Sequence, residues 1–100
     1  MAELAGRKII EVAGLEVTIK EITVGEARAL LLDTEEPDPF GDNLFADMRL
    51  RDLTLFTSLK PAQIEGLLPS QVEEVITACR GMNRPFFAMT DRISEQLRKR

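Results

Sequence analysis

Residues 53–76 read LTLFTSLKPAQIEGLLPSQVEEVI, and the fold turns on how the two prolines in this stretch are taken. Pro61 and Pro69 each follow an apolar run and each open a new one. Proline is tolerated in the first turn of a helix, where its missing N–H has no intrahelical partner to lose. The two prolines are therefore helix starts. Pro61–Leu67 makes a helix of one to two turns. Pro69 opens a longer helix over 69–82, with Val72, Val75, Ile76 and Cys79 in one stripe and Glu73, Glu74, Thr77 and Arg80 opposite. Gly81 and Asn83 supply the stop signals.

Upstream of Pro61, Leu44, Phe45, Met48, Leu55, Phe56 and Leu59 fall on one wide stripe at helical spacing, which predicts a helix over about 42–58. Asp52 projects into that stripe. A buried carboxylate would mark a functional site, but Asp is rarely fully buried. Asp52 is therefore expected at a rim, reaching solvent or pairing with Arg49 or Arg28. Downstream, Pro85 opens a last helix that runs to about Lys99, with Phe86, Met89, Ile93 and Leu97 on one side. The terminal Arg98, Lys99 and Arg100 complement the negative end of that helix. The helix over 42–58 and this last one are expected to be the longest.

The N-terminal part has a different period. Lys8–Val12 and Leu15–Lys20 are β-like, the second alternating Leu15, Val17, Ile19 with Glu16, Thr18, Lys20. Ala13-Gly14 lies between them, and Gly takes the positive φ of a tight turn at no steric cost. A hairpin over 8–20 follows, and two strands alone must lean on helices for stability. Thr23 and Glu26 have capping-box spacing, which starts a helix over about 24–32 with Val24, Ala27, Leu30 and Leu31 on one face. DTEEPDPFGDN, residues 33–43, holds two Pro, one Gly and five acidic residues, an acidic loop free to move. The expected fold is a single α+β domain, mostly α, spanning 1–100. A short N-terminal β-hairpin precedes four to five helices in a helical part over 24–99.

Composition narrows the chemistry. At 100 residues, 44% hydrophobic and 30% charged, the chain has the make-up of an ordinary globular domain. It has no His, Trp or Tyr, so no imidazole exists to activate Ser58, Ser70, Ser94 or Cys79 as a nucleophile. Cys79 falls on an apolar helical face and is expected as a buried, inert thiol, in keeping with a reducing cytoplasm. Asp33, Glu35, Glu36, Asp38 and Asp42 do not have the spacing of a calcium loop. No Gly-rich phosphate loop is present. The sequence thus implies a non-enzyme with no metal and no cofactor. No apolar run approaches the ~18 residues of a membrane span, and MAELAGRKII has no secretory apolar region. Net charge is −4, divided as 11 acidic against 5 basic residues over 1–50 and 6 against 8 over 51–100. Without a basic stripe, nucleic acid is not the expected partner.

Two motifs in this order resemble the tail assembly chaperones of Mu-like and related long-tailed phages. After a strand, Ile22-Thr23-Val24-Gly25-Glu26-Ala27-Arg28-Ala29-Leu30 is similar to the family's first helix start. Further on, LKPAQIEGLLPSQV, residues 59–72, is similar to its second motif, with Lys60-Pro61 where the family often has a Gly-Leu turn. The likeness covers about residues 15–80. It implies a non-catalytic phage tail assembly chaperone in the host cell cytoplasm, which binds the tape measure protein and yields to the tail tube protein during assembly. The alternative is a small helical regulator of phage or bacterial origin acting by protein–protein contact.

A binder of long apolar helices needs accessible apolar grooves. Several wide stripes in so short a chain, and halves of opposite charge, also predict self-association. The candidate partner-binding residues are Phe87, Phe40, Phe86 and Met89. Phe87 points about 100° away from Phe86, on the side of Asp91, Ser94 and Arg98, where it is either covered by another element or offered to a partner.

Overall fold

The computed structural model describes residues 6–33, 36–46 and 48–98. Strand β1, Arg7–Val12, pairs antiparallel with β2, Leu15–Lys20, with Val12 opposite Leu15 and Arg7 opposite Lys20. The register follows from a two-residue loop in which Gly14 has φ 78° and Ala13 has φ 53°. Positive φ at both positions is the backbone of the type I′ turn, whose twist matches that of the strands it joins. Alternation along β2 then sends Val17 and Ile19 into the core.

Five helices follow: α1 Val24–Leu31, α2 Leu53–Phe56, α3 Pro61–Glu65, α4 Pro69–Met82 and α5 Arg84–Arg98. This is the expected α+β, mostly α fold. Three of them begin in the same way. Thr23 accepts from Glu26 N at 3.0 Å while Glu26 Oε1 accepts from Thr23 N at 2.9 Å. Gln63 Oε1 accepts from Lys60 N at 2.9 Å, and Gln71 Oε1 from Leu68 N at 2.8 Å. An acceptor at the third helical position thus turns back to the residue before the helix, and in α3 and α4 it is joined by proline at the first position.

The helix expected over 42–58 does not form. Residues 39–43 are turns and 44–46 a bend, Leu50–Asp52 is a single 3₁₀ turn, and α2 is one short helix. Two tertiary bonds explain this. Leu50 N donates to Gly41 O at 3.0 Å, which folds the chain back on itself where a helix would run straight. At the other end Thr57 is extended, bridges Ile19, and lets Ser58 N donate to Thr18 O at 3.0 Å. Residues 57–58 thereby act as a third strand fragment beside β2. Sheet pairing and the burial of Leu53 and Phe56 outweigh helical propensity here. The longest helices are consequently α4 and α5.

The core is one cluster running from Val12, Val17 and Ile19 through Leu53 and Phe56 to Val75, Ile76 and Cys79 of α4. Asn83, buried at the corner between α4 and α5, ties that corner to the end of the hairpin. Its Oδ1 accepts from Ile22 N at 2.8 Å, and its Nδ2 donates to Lys20 O and Cys79 O, both at 3.0 Å. Its own carbonyl accepts from Phe87 N at 3.2 Å and so starts α5. Every polar atom of the buried amide group is used, as burial demands.

Candidate functional site

Phe87 has an exposure of 3% and faces the core, so of the two places expected for it the covered one is found and it is not offered to a partner. Its ring centroid lies 5.7 Å from that of Phe56 and 5.1 Å from that of Phe86, the latter edge-on. The Arg80 guanidinium sits 5.0 Å over the same ring. Phe86 is half-buried, 5.8 Å from Phe56. Of the side predicted to pack inward, Phe86 meets the core, whereas Met89 and Ile93 are half-buried and Leu97 is 58% exposed. Only Phe86 and Phe87 of α5 join the core cluster, so the first turn alone sets which face is inside.

Phe86 and Phe87 also wall one end of a groove of about 240 Å³ that runs between α5, the end of α1 and the 42–49 segment. Leu30, Leu31, Phe45 and Met48 supply its apolar lining. An ion-pair cluster lies at its side. Arg49 donates through Nε to Asp52 Oδ2 at 3.0 Å and through Nη2 to Asp52 Oδ1 and Asp33 Oδ2, both at 2.9 Å. The hydrogen bonds to Asp52, then to Asp33, hold the guanidinium even more firmly protonated than usual. Asp52 is thus a nearly buried carboxylate locked to Arg49, one of the two arginines named from the sequence.

Phe40 lies elsewhere, on the turn 38–44, and is 66% exposed. That turn is tied down at several points. Asp42 N donates to Asp38 O at 2.8 Å, and Leu44 N to Phe40 O at 3.0 Å. Asp38 N donates to Asp42 Oδ2 at 3.0 Å, and Asn43 Nδ2 to Pro39 O at 2.7 Å. Arg51 Nη2 donates to both Asp42 oxygens, at 2.9 and 3.0 Å. The Asp38 N–H and then the Arg51 guanidinium hold the Asp42 carboxyl below its ordinary 3.8. Gly41 is buried at the centre, where a Cβ would run into the Asp38 carboxylate. Glu35 of the same loop, like Lys99 and Arg100 at the far end, lies outside the described residues.

Behind Phe40 is a second groove of about 250 Å³, lined by Leu50, Thr54, Pro61 and Ile64, with Asp38, Arg51 and Glu65 among the polar walls. The four candidate contact residues therefore divide between two places. Phe86 and Phe87 belong to the first groove, Phe40 to the second, and Met89 lines neither. Sequence periodicity missed the second groove because it forms between a loop and α3, which share no periodic face.

Burial pushes the Cys79 thiol up to about 12, so it stays protonated at neutral pH. Among the described residues, no three His, Cys, Asp or Glu side chains are grouped to hold a metal ion. Among those residues, too, no helix is long and apolar enough to cross a membrane. No family model, curated protein or solved structure matches the chain.

Proposed function

We propose that the chain is a non-catalytic tail assembly chaperone that binds the apolar helices of a phage tape measure protein, keeps them soluble in the host cytoplasm, and releases them to the tail tube protein. One observation carries this most directly: ordered elements hold large apolar side chains at the surface. Val24, 76% exposed, and Leu31 are seven residues apart on α1, and Leu32 follows at its end. Phe40, Leu68 and Leu97 add exposed apolar surface on three further segments. A holder of apolar helices has a use for such groups. The motifs at 22–30 and 59–72 supply the partner's identity by resemblance. The first of them builds α1 with its capping box and the exposed Val24, and the second builds α3 and the start of α4.

Co-expression tests the proposal. The tape measure protein of the same phage is expected to become more soluble and to co-purify with this chain. Equal insolubility with and without the chain would contradict it. A regulator working through protein contacts would use the same exposed side chains, and would instead leave the tape measure protein unaffected.

A further inference from the structure

We infer that Phe40 and the groove behind it form a preformed docking site for an amphipathic helix carrying Lys or Arg beside its apolar stripe. The inference rests on the reading of this chain as a binder of apolar helices, and it adds where the helix sits and what chemistry it has. Phe40 is the only Phe of five that the described structure exposes strongly; Phe45, Phe56, Phe86 and Phe87 are half-buried or buried.

An exposed ring on a slack loop would lose conformational freedom on binding. This one stands on a turn held by Asp42 and Asn43 side-chain bonds, to Asp38 N and Pro39 O, and closed onto Leu50 through Gly41. Most of the ordering cost is therefore already met in the free protein, which is the condition under which an aromatic anchor is most effective.

The groove has the size and lining for apolar anchors: about 250 Å³, with Leu50, Pro61 and buried Ile64 as its apolar surface. Its charges choose the partner. Asp38 and Glu65 are exposed on its walls. Arg51, the cation in the same wall, gives its Nη2 to both oxygens of Asp42. A helix with acidic flanks meets like charge there, and a basic one meets complementary charge.

The test uses two fluorescently labelled model helices of about 18 residues, five turns, that share a leucine stripe and differ in having Lys or Glu on the polar face. Anisotropy titrations are run with the full chain and with Phe40→Ser, Glu65→Lys and Ile9→Ser. The lysine helix is expected to bind at least tenfold more tightly than the glutamate helix. Phe40→Ser is expected to weaken the lysine helix about tenfold or more, with the melting temperature nearly unchanged. Glu65→Lys narrows the preference between the two helices. Ile9→Ser, an equally exposed apolar site on β1, leaves binding as it was.

Because Phe40→Ser keeps the net charge, unspecific attraction of a cationic helix to an acidic protein would survive it, and that result overturns the inference. Equal binding of both helices, or none of either, overturns it as well. The outcome separates cleanly from the chaperone proposal. If Phe40→Ser still solubilises the tape measure protein, the site is wrong and the function stands. If the lysine helix binds at Phe40 while co-expression does nothing, the site stands and the function is wrong.

Discussion

Asn83 joins three parts of the molecule through one amide: the end of β2, the residue leading into α1, and the last turn of α4. Each of its side-chain bonds is worth about 1 kcal/mol, and a buried donor left unpaired costs more. Asn83→Ala should therefore lose about 3 kcal/mol, which for a domain of this size lowers the melting temperature by more than ~10 °C. Thermal unfolding followed by circular dichroism checks this, and a shift under about 3 °C would mean that the clip does not hold the corner. Ala13 gives the opposite sign. Its φ of 53° is a left-handed conformation that costs a residue with a Cβ about 1 kcal/mol. Asn adopts it readily, and Asn-Gly is a favoured two-residue hairpin loop. Ala13→Asn should add about 0.5–1 kcal/mol in denaturant unfolding. At this scale Gly14 was legible in the sequence because only one residue type suits its backbone. The inward turn of Phe87 was not, because the side of α5 that faces the core is set by Phe56, 31 positions earlier in the chain.

Among the elements, α4 came out over the residues and with the buried stripe that its periodicity predicts. The capping box of α1 also formed as spaced. Both rest on interactions within a few residues, which sequence carries directly. The segment 42–58 rests instead on the bond from Leu50 to Gly41 and on the bridge from Thr57 to Ile19. No local pattern announces either. The second and third N-terminal caps lie between these cases. Lys60-Pro61-Ala62-Gln63 and Leu68-Pro69-Ser70-Gln71 share a proline and a glutamine at matching positions, so the device is visible once the prolines are taken as helix starts. Gln71→Ala should remove the acceptor for Leu68 N and cost about 0.5–1 kcal/mol. Gln71→Glu keeps an acceptor oxygen and places negative charge at a helix start, so its stability should match or exceed that of the parent. Equal losses in the two variants would contradict the capping role.

The whole molecule leaves apolar groups outside its one core on α1, on the 38–44 turn and on α5. Its halves differ in charge, with 11 acidic against 5 basic residues before position 51 and 6 against 8 after it. These two features together predict reversible self-association that weakens with salt, because exposed charge pairs are screened within about 10 Å at 0.1 M. Light scattering at rising concentration and low salt should give a mass above the monomer's 11.2 kDa; a constant monomer mass would contradict it. The proposed function requires the same surfaces to hold an apolar helical protein in solution. Under that proposal, the decisive measurement is turbidity after denatured tape measure protein, taken from a phage proposed to encode this chain, is diluted into buffer. Stoichiometric amounts of this chain should suppress the turbidity, and Phe40→Ser, folded to the same melting temperature, should suppress it poorly. Identical turbidity with and without the chain would contradict the claim.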